Sequence, residues 1–101
     1  QKQTETVQSA AAEGVLLAAD VARDRTTEPF ARIHAEALAE QAKKAAETLR
    51  KAKPERGLED ERRQALTKAQ DVENALEQLH SEPANRELAR RLERELQDLA
   101  G

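Results

Sequence analysis

Small and aliphatic residues return at alternating steps of three and four through most of this chain. That spacing fixes what the chain can fold into. Val7, Ala11, Gly14, Ala18 and Val21 keep it, as do Ala31, Ala35, Leu38, Ala42, Ala45, Leu49 and Ala52. So do Leu58, Ala65, Ala69, Val72, Leu76 and Leu79, and finally Ala89, Leu92, Leu96 and Leu99, with Leu88 beside them. At 3.6 residues per turn such positions share one face of a helix, and a polypeptide with four of these faces must pack them together. Strands are disfavoured because β-branched and aromatic residues are scarce, while Ala, Leu, Glu, Lys, Arg and Gln dominate. The expected fold is therefore all-α: an antiparallel, up-down-up-down four-helix bundle built from two helical hairpins.

Local signals punctuate the four segments. The first helix should run from Lys2 to Asp24. Thr27, Glu28 and Pro29 then combine a hydroxyl for a free N-H, an acid favoured by the helix dipole and a proline tolerated in the first turn. The second helix starts there, with its seam widened by Phe30, Ile33 and Ala37. Its last turns gather Lys43, Lys44, Arg50, Lys51 and Lys53, the sign a C-terminus prefers, and Pro54 forbids continuation. With 101 residues the chain is one domain: hairpin 1–53, a linker over 53–57 that holds Pro54 and Gly57, and hairpin 58–101. Ser81, Glu82 and Pro83 repeat the Thr-Glu-Pro pattern 54 residues later, so Ser81 reads as the cap of the fourth helix. Arg62 is the one non-apolar seam position in the third helix, and its stem should run along the bundle edge to water. Glu precedes a base by four residues at Glu40 and Lys44, Glu47 and Lys51, Glu59 and Arg63, Glu82 and Arg86, and Glu87 and Arg91, which supports helicity on the outer faces.

Composition excludes much chemistry. Cys, Met, Trp and Tyr are all absent, which removes disulfides, thiolate metal sites, thiol nucleophiles and phenol chemistry. The net charge is -1 over residues 1 to 25, +2 over 26 to 53 and -4 over 54 to 101. None of these is the basic excess that phosphate backbones demand, and Arg86, Arg90, Arg91 and Arg94 alternate with acids without an aromatic to stack a base, so no nucleic-acid partner is expected. No apolar stretch approaches the ~20 residues that span a bilayer. The chain starts at Gln1 and lacks Met, which points to a fragment or a processed mature form whose membrane association, if any, runs through an anchor outside it.

Few residues remain as site candidates. Glu77 and His80 have the Glu-x-x-His spacing of carboxylate-bridged metal bundles, but a full set needs a second such pair, and His34 is the only other histidine. His80 is expected instead to satisfy the last carbonyls of its own helix, and His34 to be half-buried and hydrogen-bonded to a neighbouring helix. Ser9 and Ser81 are the only serines and neither sits in a nucleophile elbow, so no catalytic residue and no cofactor is expected. Ala10, Gly14, Ala18 and Ala22, four apart, form a ridge that lets two backbones approach closely.

The stretch Ala11 to Glu40, AAEGVLLAADVARDRTTEPFARIHAEALAE, resembles uncharacterised small helical proteins of high-GC actinobacteria that are exported or membrane-anchored. The resemblance covers about a third of the chain and rests on the Ala-rich helix and the Thr-Glu-Pro-Phe turn. It implies an extracytoplasmic setting and no activity. The functional expectation is a non-catalytic bundle acting as a structural or protein-interaction module, toward a protein partner or a second copy as a homodimer, with the Ala10 to Ala22 ridge and the Leu88 to Leu99 face as candidate contacts. The alternative is a sensory bundle that binds a metal ion or small ligand through His34, His80 and carboxylates such as Glu77.

Overall fold

The computed structural model describes residues 2–53 and 55–101. They form four helices: α1 (Lys2–Ala22), α2 (Glu28–Lys51), α3 (Glu59–Ser81) and α4 (Arg86–Ala100), with no strand among the described residues. Short connections make successive helices antiparallel, giving the four-helix bundle that the seams require. The inferred helix stop at Pro54 lies outside the described residues.

The seams close on one another as their spacing dictates. Val7, Ala11, Ala18 and Val21 of α1, Ala31, Ala35, Leu38, Ala42, Ala45 and Leu49 of α2, Ala69, Val72, Leu76 and Leu79 of α3, and Ala89, Leu92 and Leu96 of α4 make one buried core. The Ala10, Gly14, Ala18 and Ala22 ridge is buried too, which assigns it to packing within the bundle. A Cβ added to Gly14 would stand 3.0 Å from Leu76 Cδ2 and 3.1 Å from Leu96 Cδ1, so α1, α3 and α4 meet where a side chain is missing. This close approach lets α1 touch α3 across the short diagonal of the bundle, whereas α2 and α4 stay apart.

The tightest pairs are α2 with α3 and α1 with α4, and α3 and α4 are the loosest neighbours. The two hairpins of the chain are thus interleaved rather than stacked as separate units. Small residues explain the α2 to α3 approach: Ala39 and Ala46 widen the seam of α2 on the side of Glu36, which meets α3. That widening corrects the sequence expectation, because Phe30, Ile33 and Ala37 are exposed, as is Ala52 beyond the helix end. Leu58, expected in the seam of α3, is likewise 45% exposed at the helix start.

Helix ends follow local chemistry, with three departures. Thr27 Oγ1 accepts from Phe30 N at 3.3 Å and caps α2 as its sequence implies. The cap of α4 is Asn85, whose Oδ1 accepts from Leu88 N at 3.0 Å, and Ser81 is the last residue of α3. The amide takes the place of the expected hydroxyl because α3 keeps Ser81 as its last residue and a turn over residues 82–84 separates it from α4. α1 ends at Ala22, two residues before Asp24, in a Schellman arrangement: Arg25 N donates to Asp20 O at 2.8 Å and Asp24 N to Val21 O at 3.2 Å. Asp24 takes the left-handed φ of 57° that glycine usually occupies there. Arg62 does not reach for water either: its Nη1 donates to Leu49 O at 3.1 Å, satisfying a carbonyl in the last turn of α2, and its Nε is buried without a partner.

The surface ion pairs are also not the ones read from the sequence, although three of them keep a helical spacing of three or four. Arg63 meets Asp60, Arg86 meets Asp24, and Arg91 meets Glu95 and Gln78, while Glu28 pairs with Arg32. The five Glu-to-base pairs read from the sequence are not formed. Long side chains on a solvated face choose among several partners of nearly equal energy.

Candidate interaction surface

The residues singled out for chemistry are dispersed. His80, near the end of α3, turns its Nε2 to Glu36 Oε2 of α2 at 3.4 Å, rather than to the carbonyls of its own helix. The carbonyl of Gln78 is taken by Glu82 N instead. Glu77 is exposed, and does not join His80 in the contact with Glu36. His34 packs edge-on against Phe30, with ring centroids 5.4 Å apart and an interplanar angle of 64°. It is half-buried as expected, but its Nδ1 is buried with no hydrogen-bond partner, so the expected bond to a neighbouring helix is not made through that atom.

Helix geometry separates the two imidazoles. His34 and Glu36 are two residues apart, roughly 200° around α2. Glu36 marks the side that meets α3. His34, Gln41 and Thr48 recur at sevens, and the last two line a groove with Lys2, Gln3 and Thr6 of α1. The histidines therefore lie on opposite flanks of α2, and among the described residues no three His, Asp or Glu side chains are grouped so that they could hold a metal ion. The groove between α3 and α4 is lined by Asp71, Asn74, Gln78, Glu95 and Asp98 over Ala75 and Leu99, carboxylates and amides with no imidazole.

The two faces expected to meet a partner are occupied internally. Ala10 and Ala18 are fully buried, Ala22 is 7% exposed, and Leu88, Leu92 and Leu96 point into the core. What the bundle leaves uncovered is Leu16 on α1, Phe30 and Ile33 on α2, and Leu58 at the start of α3, at 68%, 56%, 69% and 45% exposure. Phe30 and Ile33 are three residues apart and belong to a second stripe with the same rhythm as the core seam, on the opposite side of α2. It continues through Ala37, Glu40, Lys44, Glu47 and Lys51, all exposed except the half-buried Glu47. The stripe is apolar over the first turns and charged thereafter.

The electrostatics of this face are graded along the helix. Glu36 and Glu40 follow the apolar turns, and Lys43, Lys44, Arg50 and Lys51 dominate the end. Glu28, at the beginning, is neutralised by Arg32 at 3.0 Å. Sequence reasoning assigned Phe30 and Ile33 to the core. The signal against that was already present: they sit roughly 100° or more from the centre of the alanine seam, and α2 already turns six alanines and two leucines inward.

None of the described helices is long and apolar enough to cross a membrane. Comparison with protein-family models, with curated proteins and with solved structures gives no match, and the functional reading rests on the molecule's own geometry.

Proposed function

We propose that this chain is a non-catalytic helical bundle that works as a structural or protein-interaction module, using the outer face of α2 as its contact surface, in an extracytoplasmic setting. The observation that carries the reading is the exposure of Phe30 and Ile33, at 56% and 69%, three residues apart on one face of α2, whereas Leu16 and Leu58 are exposed singly on other helices. Full burial of a large apolar side chain is worth about 1.5 to 3 kcal/mol, so these two residues hold much of what a partner could gain. The ionisable groups support the same reading, since among the described residues no ionisable side chain is buried as a whole, and the two buried atoms, His34 Nδ1 and Arg62 Nε, lie on different helices. The catalytic alternative needs acids and bases displaced from water in a shared pocket. The extracytoplasmic setting rests on the resemblance of the Ala11 to Glu40 stretch and on nothing in the fold.

The test is retention of proteins from an extract of the source cells on the immobilised chain, run beside a Phe30→Ser/Ile33→Ser double variant. Partners held by the wild type and released by the variant support the reading. It fails if neither a retained protein nor self-association depends on this face. Fractionation of the source cells tests the compartment separately.

A further inference from the structure

We infer that the connection between the two hairpins is a hinge, and that two copies of this chain exchange hairpins through it, α3 and α4 of one closing on α1 and α2 of the other. The partner is a second copy, and the surface it uses is the core interface itself. Such a contact is complementary by construction, because every residue meets the neighbour it already has in the closed chain. It goes beyond the interaction reading above and makes no use of the outer face of α2.

The close helix pairs, α2 with α3 and α1 with α4, both run between hairpins, while α3 and α4 hold each other least among neighbours. Specific contacts follow the same division. Gly14 of α1 receives Leu76 and Leu96 of the second hairpin, Arg62 Nη1 donates to Leu49 O at 3.1 Å, and Arg86 meets Asp24 at 3.0 Å. A lone hairpin leaves its seam open to water, and that seam closes equally well on the matching hairpin of another chain.

The connection that must open is the longest of the three. It has seven residues, 52–58, against five in 23–27 and four in 82–85. Leu58 N donates to Glu55 O at 2.9 Å and Gly57 N to Glu59 Oε2 at 3.1 Å, exposed bonds that water replaces on opening. Gly57 has open space where a side chain would stand, so no packing there resists the change. Pulled straight, seven residues reach roughly 23 Å, which exceeds the 21 × 17 Å section of the bundle and carries the chain from one bundle to the next. Closed and exchanged forms share one core, so concentration decides between them. A short linker acts as a local concentration on the order of millimolar, and the closed monomer prevails well below that.

The test uses two full-length variants, each with one hairpin disabled by charges in the core: Leu38→Asp/Leu49→Asp in the first, and Leu92→Asp/Leu96→Asp in the second, at positions no more than 2% exposed. Circular dichroism should show each alone to be unfolded. Mixed in equal amounts, they should regain about half of the wild-type helical signal, because only exchange unites the sound first hairpin of one chain with the sound second hairpin of the other. Wild type refolded from denaturant at about millimolar chain should yield a dimer that, after dilution, returns to monomer no faster than the bundle unfolds. Refolding at micromolar chain should yield monomer alone. A mixture that stays unfolded, or wild type that refolds to monomer at every concentration, overturns the inference.

Discussion

Gly14 of α1 lies directly against Leu96 of α4: a Cβ on that glycine would stand 3.1 Å from Leu96 Cδ1, with Leu76 Cδ2 of α3 as close at 3.0 Å. Three helices converge there because one of them offers only backbone. Gly14→Ala should be nearly neutral, because a gain of about 1 kcal/mol in helix propensity offsets a small displacement of the leucine methyls. Gly14→Val has no such balance and should destabilise by about 2 to 3 kcal/mol through overpacking. Urea denaturation of the two variants checks this, and equal effects would show that the contact is not tight.

Asp24 supplies the left-handed residue that ends α1, and its carboxylate also meets Arg86 at 3.0 Å. Asp24→Gly should relieve roughly 1 kcal/mol of backbone strain and forfeit less than that in the exposed ion pair, leaving a small net gain. Asp24→Val should cost about 1 to 2 kcal/mol. A double-mutant cycle with Arg86→Ala separates the two effects, and a coupling well above ~1 kcal/mol would contradict a solvent-screened pair.

The caps give a third expectation. Thr27→Ala and Asn85→Ala should each lower stability by about 1 kcal/mol, since each removes the acceptor of a first-turn N-H. Ser81→Ala should change stability by less than ~0.5 kcal/mol, because Ser81 ends α3 and caps nothing. Thermal or urea melts of the three single variants decide it. A larger loss at Ser81 than at Asn85 would reverse the assignment.

The histidines should not act as a pair. Adding Zn²⁺ should leave the melting temperature unchanged, since an ion that binds only the native state must raise it and the imidazoles lie on opposite flanks of α2. The contact of His80 with Glu36 at 3.4 Å should contribute under ~1 kcal/mol in a double-mutant cycle. A rise in melting temperature with Zn²⁺ that vanishes in His80→Gln would place a site there after all.

Legibility differed between the core and the surface. Val72, Leu76 and Leu79, or Ala35, Leu38 and Ala42, could be assigned inward from spacing alone, because burial of an apolar face is a periodic property of the sequence. The width of a face is not. Whether Phe30 and Ile33 or Ala39 and Ala46 flank the seam of α2 depends on which side its neighbours stand, and both pairs are apolar. The partners of Arg62, His80 and Arg86 were equally hidden: Leu49 O, Glu36 and Asp24 lie 13, 44 and 62 positions away in the sequence and meet them only after the helices pack.

The sequence by itself determined that there are four helices, roughly where they start and stop, and which stripe of each turns inward, since these follow from steric periodicity and from hydrogen bonding within a few residues. Only the tertiary structure decided that α1 pairs most closely with α4 and α2 with α3, that the glycine and alanine ridge is consumed inside the bundle, and that an apolar strip of α2 is left facing water. The physical reason is that helix association is chosen by how closely two surfaces of small and large side chains interlock. That fit belongs to pairs of helices rather than to any one segment of the chain.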